Sequence, residues 1–581
     1  MLSTESYDSL DPHDFGDPPA AYRPHPWWFW NGEMDPELMR WQIARMAEQG
    51  CGGFYITPRQ GLAIPYLSEE YFERVRLARD EAHRRGMLLT GIMDEYPYPS
   101  GMAGGMVTWR DPRFLRSDLD VVDFEAAGGE QVRRLLGPGD LLRALAVPLR
   151  RGEPSWDAAV DLMPHIGVRQ TGTGLSWGRS LTAYSYARFG SFEPQHELLW
   201  RAPRGDWRIM VFMVRRCRSH KYFGEYVDLL NPEAVEHFLG STLGRYQGAL
   251  GEPLGAAMRS IFTDETYPGS WTWNLPALFR QRCGYDLIEH LPALAADSGP
   301  DAARVRYDYV ATIRELFMDA FHRRYHDWCE RLGVLYTTEV PMVRNADQSA
   351  AHIPGVDHAH ERIGEDLPHG WLTERMSSFR HSPRFAASHA AQAGKPRVAV
   401  EAFHSLGWGV RLADLKALVD RMSAFGVNLL ALHGFYYQSG GMQKFDAAPS
   451  EFYQHPWWRH FRHLADYAAR LSYISSRGRH VADIAMLDPV TSTWTLGGDQ
   501  TQLLRRLDGE AAERLRDDWS YVVETLLAGQ RDFHHLDPLD LAGAHLRGRS
   551  LHVGRARYRL VIVPPVVNLE RAAFEALRKF A

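Results

Sequence analysis

Acidic residues stand directly behind short apolar runs at four places. Asp94-Glu95 follows residues 87–93, Asp264-Glu265 follows 260–263, Glu339 follows 334–338, and Glu401 follows 397–400. Taking a carboxylate out of water costs several kcal/mol or about that order unless it is paired. One such acid alone is explained by a helix cap or an Arg partner. Four at matching positions point to a shared site, where neighbouring carboxylates raise one another's pKa and supply an acid at neutral pH. Glycoside hydrolysis needs two carboxyls flanking the scissile bond, one to protonate the leaving oxygen and one to attack or to activate water. Glu265 and Glu401 form the expected pair, and their separation would decide the outcome, about 5 Å for retention and about 6.5–9.5 Å for inversion.

Aromatic side chains crowd the same positions: Trp27, Trp28, Trp30, Tyr96, Tyr98, Trp271, Trp273, Trp408, Tyr436 and Tyr437. Flat apolar faces suit the C–H faces of sugar rings as well as cores, and the chain holds a high share of Trp, 18 in 581 residues, about half of the rim aromatics being expected to serve packing alone. Asn31, Arg59, His404 and His433 offer donors and acceptors for hydroxyls, and Asp94, Glu95, Asp264 and Glu339 complete the expected sugar pocket with Trp30, Trp408 and Tyr436. Two other motifs carry less. Gly174-Leu175-Ser176-Trp177-Gly178 has the G-x-S-x-G pattern of a nucleophile elbow but follows a polar glycine loop rather than an apolar strand. Asp357-His358-Ala359-His360-Glu361 offers metal-type ligands without a second cluster of matching spacing.

What must position these side chains is an alternation of strands and helices. Residues 26–30, 53–56, 87–93, 260–263, 334–338, 356–357, 397–400 and 427–432 read as eight strands, with helices expected over 35–49 and 68–85 among others. Eight strand–helix units fit a (β/α)8 TIM-type barrel, whose strand C-termini build the active site. The alternation is interrupted by a turn-rich, strand-like stretch, so the expected division is barrel 20–108, inserted β-rich domain 109–207, and barrel again 208–477. Beyond it, strands at 484–487, 532–534 and 560–563 with helices over 501–527 and 569–580 suggest a small flavodoxin-like α/β unit, 478–581, incomplete at three strands.

Composition excludes several classes. Hydrophobic residues at 45% and charged residues at 24% belong to a globular protein, and a net charge of −6 without a basic run argues against nucleic acid or an anionic membrane as partner. The four cysteines, Cys51, Cys217, Cys283 and Cys329, are too scattered for a disulfide framework or a zinc site. The opening residues lack the basic and apolar regions of a secretion signal, which gives a cytoplasmic protein as the expectation.

The segments HPWWFWNGEMDPELMRWQIARMAEQGCGGFYITPRQGL, MDEYPYPSGMAGG, IFTDET, KPRVAVEAFHSLGWG and GVNLLALHGFYYQSGG resemble barrel glycoside hydrolases related to glycoside hydrolase family 106, the α-L-rhamnosidases. The resemblance runs from about residue 24 to 487 and includes the β-rich insertion with its closing WRAPRGDWRIMVF. It implies a catalytic barrel that removes a terminal sugar with inversion, Glu265 matching the general acid and Glu401 the general base. It also implies that the pocket can hold calcium against sugar hydroxyls, and that the last unit is amidotransferase-like and non-catalytic. Relatives usually continue into β-rich modules and many act outside the cell. A small glycoside or oligosaccharide is therefore the expected substrate. The competing readings are a retaining β-galactosidase-type enzyme with Glu401 as nucleophile, a non-catalytic glycan-binding barrel, and a metal-dependent hydrolase.

Overall fold

In a computed structural model the chain is described at residue 7 and over 9–94, 96, 98–173, 191–218, 224–251, 253–339, 344–358, 382–497 and 509–581. Its central sheet contains β1 (Trp27–Trp30), β2 (Gly53–Pro58), β3 (Leu88–Met93), β4 (Ser260–Thr263), β5 (Leu335–Thr338), β6 (Ile353–Asp357), β7 (Ala399–Ala402) and β8 (Leu429–Leu432, continued by Phe435–Tyr436). Each pairs in parallel with the next, and the continuation of β8 returns to β1 with Trp28 opposite Phe435 and Phe29 opposite Tyr436. The expected barrel is thus a ring of parallel strands. The helices between them start where their caps predict. Asp35 accepts the amides of Glu37 and Leu38 at the head of Pro36–Glu48, and Ser68 accepts that of Tyr71 at the head of Glu69–Arg84.

Side chains of a strand alternate between faces, and here the alternation sorts the barrel into two compartments. Trp27, Phe29, Tyr55, Met93, Phe262, Ala431 and Tyr436 pack with one another inside the ring, above a lower layer of Leu335, Ile353, Ala399 and Leu429. The opposite parity, including Trp28, Trp30, Ile261, Tyr336, Val356 and Val400, faces the helices in the main core.

Between β3 and β4 the chain forms two antiparallel sheets. One joins Gln131–Gly137, Ser191–Arg201 and Ile166–Thr173. The other joins Ser117–Ala126, Asp206–Arg216 and Asp140–Arg150. Trp200, Leu198 and Val132 from the first pack against Trp207, Ile209 and Val211 from the second, as in face-to-face sheet packing. Asp206–Arg216 pairs within this region, so the β-rich stretch extends past residue 207 to Arg216 rather than ending where the sequence pattern placed it. Near the C-terminus, Phe533–Leu536, Ile484–Leu487 and Leu560–Ile562 form a three-stranded parallel sheet, with helices Gly509–Ala528 and Arg571–Phe580. Buried Arg344, which follows β5, ties this region to the barrel by ion pairs to Asp537 at 2.5 Å and Glu570 at 2.9 Å. Among the described residues no helix is long and apolar enough to cross a membrane.

Candidate active site at the barrel mouth

Inward parity carried one step past each strand end places Asn31, Arg59, Asp264, Glu339 and His433 above the inner aromatic layer, together with Asp357 and Glu401 from the ends of β6 and β7. Carboxylate oxygens of Asp264, Glu339 and Glu401 lie within 4.8 Å of one another, and Asp357, Glu401 and His404 form a second group with the same spacing. Glu401 belongs to both. Glu339 is fully buried; burial first, then the charges of Glu401, Asp264 and Asp357, pushes its carboxyl well above the usual carboxylate range. Its Oε1 accepts the amide of Glu265 at 3.0 Å, while its Oε2 has no hydrogen bond of standard geometry among the described residues.

Glu265 breaks the alternation. It follows the inward Asp264, yet its own φ of +39° re-aims the chain, and its side chain accepts a hydrogen bond from the Tyr98 hydroxyl. Phe403 and Ser405, just after Glu401, and Ala447 also have positive φ. Non-glycine residues held there cost roughly 1–3 kcal/mol each and concentrate at functional sites. Unlike the deep Asp264–Glu339–Glu401 cluster, Glu265 is only partly buried.

On the other side of Glu401, His433 Nε2 lies 3.9 Å from its Oε1. Arg59 Nη2 is 3.2 Å from the same nitrogen and Arg59 Nε donates to Asp446 at 3.0 Å. Burial first, then the neighbouring Arg59 guanidinium and the His404 ring, holds His433 well below its usual range. A neutral ring facing an Arg donor must accept at Nε2, so the His433–Glu401 contact is not an imidazolium–carboxylate pair. His404 Nε2 contacts Asp357 Oδ1 at 3.1 Å and its Nδ1 contacts Ser405 at 2.9 Å. Trp408, 38% exposed, is fixed by its indole donating to the Lys444 carbonyl at 3.1 Å and by stacking on His455. Tyr436 stacks on Phe29 inside the ring and donates to the Asp446 carbonyl.

Other expected site residues are committed to structural contacts. Trp30 is completely buried against Trp28 and Tyr71, because it shares the outward parity of Trp28; Trp271 also lies in the core. Asn31 clamps two loops, its amide donating to the Gln438 carbonyl and its Oδ1 accepting the Gln438 amide. Asp94 is buried and accepts the hydroxyl of Tyr325, on the helix Arg323–Leu332, at 2.5 Å. Tyr437 accepts the Asp35 amide at a helix start. Glu95, the Gly174–Gly178 motif, and His360-Glu361 lie outside the described residues. Sequence reasoning did not assign Asp357, Asp446 or Ser405 to the sugar pocket. Asp357 ends an inward-facing strand by the same rule that found Glu401, whereas Asp446 lies in a loop without any periodic signal.

Residues 190–498 match the family described as alpha-L-rhamnosidase. A curated protein of Formosa agariphila, provisionally named a beta-glucuronidase, is 22% identical over 522 residues, covering 81% of this chain. The chain spans 42% of that relative's length. Among solved structures, a rhamnosidase from Novosphingobium sp. PP1Y aligns with 98% of this chain and 68% of its own, with a TM-score of 0.63 at 18% identity. A beta-galactosidase from Rahnella sp. R3 aligns with 99% and 71%, with a TM-score of 0.54 at 11% identity. These two likenesses concern the fold.

Proposed function

This chain belongs to the alpha-L-rhamnosidase family of glycoside hydrolases, and from that premise we propose that it removes a terminal, rhamnose-like sugar from a small glycoside or oligosaccharide with inversion. Glu265 acts as general acid and Glu401 as general base. The observation that carries the assignment is their linkage through Glu339, which accepts the Glu265 amide while its carboxylate group approaches that of Glu401. Two carboxyls from β4 and β7 then face one space, the partly exposed one toward the leaving group and the buried one toward water beneath the sugar. Protonation of the glycosidic oxygen by Glu265 and removal of a water proton by Glu401 complete a single displacement. Tyr98 orients the acid; Arg59 fixes the His433 tautomer beside the base. Asp264, His404, Trp408, His433 and Tyr436 line the sugar, with Asp94, Glu95 and Asn31 supporting the loops around it and Trp30 supporting the strand. We take the β-rich stretch after β3 as an inserted domain and residues 478–581 as the amidotransferase-like unit.

The donor set of Asp264, Glu339 and Glu401 also fits calcium. All ligands are oxygen, as a hard cation prefers, and among the described residues the buried Glu339 Oε2 atom has no hydrogen bond of standard geometry. When bound, calcium would neutralise the cluster and polarise sugar hydroxyls. Hydrolysis of a panel of 4-nitrophenyl glycosides tests the reading, with the α-L-rhamnoside expected to react fastest. Equal or faster release from the β-galactoside or β-glucuronide overturns the sugar assignment. Loss of rate with a calcium-selective chelator, restored by calcium, is expected for the cation site; full activity after chelation removes it.

A further inference from the structure

At the end of the barrel away from the mouth lies a cavity of about 920 Å³, between the entries to β7 and β8 and the C-terminal sheet. Its lining includes Arg384, Lys395, Arg477, Arg479 and Arg555, and no Asp or Glu among the described residues. Three helices, Pro383–Ala393, Leu412–Ala424 and Phe461–Ser475, also end there. A helix C-terminus carries about half a negative charge, so the three ends and nearby Asp532 offset only about half of the five cations.

Not every cation is open to a ligand. Lys395 donates to the carbonyls of Gln348, Ser349 and Ala351, and Arg477 to Tyr473, Ser9 and Tyr22. Asp532 is already engaged by Arg384 at 2.6 Å and His480 at 2.6 Å. His480 in turn contacts His534 at 2.6 Å, and His534 contacts the Tyr558 hydroxyl at 3.0 Å. Asp532 is therefore committed to its own partners.

Three guanidinium groups remain with donors to spare. Arg384, 93% buried, has an Nε without a hydrogen-bond partner among the described residues and lies against the rings of Phe425 and Phe533. Among the described residues Arg479 donates only to the Arg555 carbonyl. Arg555 has no side-chain hydrogen bond or ion pair among the described residues. It lies so close over Gly394 that a Cβ there would come within 2.4 Å of it, and Gly394 itself has φ +72°. The glycine both ends the helix and leaves the space that the arginine occupies.

We propose that this cavity binds a small phosphomonoester, its phosphate gripped by Arg384, Arg479 and Arg555 and its remainder held against Phe425 and Phe533. Guanidinium forks match phosphate oxygens in number and planarity. The volume exceeds that of a bare phosphate and falls in the range of small-molecule sites, about 300–1,000 Å³. Arg384 belongs to a barrel helix, whereas Arg555 belongs to the hairpin Ser550–Val553/Ala556–Tyr558 beside the C-terminal sheet, so the ligand would bridge the seam between them.

Thermal unfolding of the full chain with inorganic phosphate, against sodium chloride of equal ionic strength, tests this through the stabilisation that any native-state ligand confers. The expected result is a saturable rise in Tm with phosphate alone, requiring at least about tenfold more phosphate in the R479A/R555A double variant. Both substituted residues are exposed, and the variant is first shown to match the unliganded wild type in Tm. A rise that is not saturable, that chloride reproduces, or that the double variant retains at the same phosphate concentration overturns the proposal.

Discussion

The two ends of the barrel are opposite in charge, although the same strands and helices build both. At the mouth, Asp264, Glu339, Asp357 and Glu401 converge; at the far end, five Arg and Lys side chains line a cavity without acids among its described lining residues. In a parallel barrel the helices begin near the mouth and end at the far side. Their dipoles favour anions at the first end and cations at the second. That preference is worth only about 0.3–1 kcal/mol per group at exposed positions, too little to keep a buried cluster such as Glu339 and Glu401 together. The fold therefore sets the sign at each end, and the density of charge beyond what capping requires marks the sites.

The largest effects are expected at the mouth. Glu401→Gln should lower kcat by about 10²–10⁴-fold, the usual contribution of a general base, with Tm close to that of the wild type. A loss of activity matched by a collapse in Tm would make Glu401 structural. Glu265→Gln should be nearly as damaging for a sugar leaving group but milder for 4-nitrophenolate, which departs without a proton.

Two smaller effects separate pocket from support. Trp30→Ala should cost about 3–5 kcal/mol in denaturant unfolding while leaving KM within about twofold. A large KM change at unaltered stability would return Trp30 to the pocket. Glu339→Gln acts in the other direction. Because the native carboxyl is raised, the folded state keeps a proton that the unfolded state releases, so native stability falls as pH rises above the unfolded pKa. The variant lacks this penalty. In chelated protein its Tm should exceed the wild type's by on the order of 1–2 °C at pH 7, with the gain vanishing below the ordinary glutamate pKa. A gain that persists at low pH would assign the difference to packing.

Much of the mouth is legible in the sequence, because strand parity and acidic residues behind apolar runs are local signals. Asp264, Glu339 and Glu401 lie where those signals place them, and the same parity, counted from Trp28, assigns Trp30 to the outer core. Asp357 shows the signal too, at the end of the short strand Ile353–Asp357, which carries Pro354-Gly355 in its middle and so reads weakly as a strand. What could not be read is side-chain partnership across distant segments. Tyr325 on Asp94, Asp446 on Arg59 and Tyr98 on Glu265 each join positions that only the closed ring brings together. The same holds for the far cavity, whose open arginines come from residues 384, 479 and 555.

The stereochemistry of the product tests the two-glutamate account most directly. Proton NMR during hydrolysis of 4-nitrophenyl α-L-rhamnoside should show β-L-rhamnose as the first anomer, with the α-anomer appearing later by mutarotation. If the α-anomer appears first, the reaction proceeds with retention, and Glu401 is a nucleophile rather than the base assigned to it.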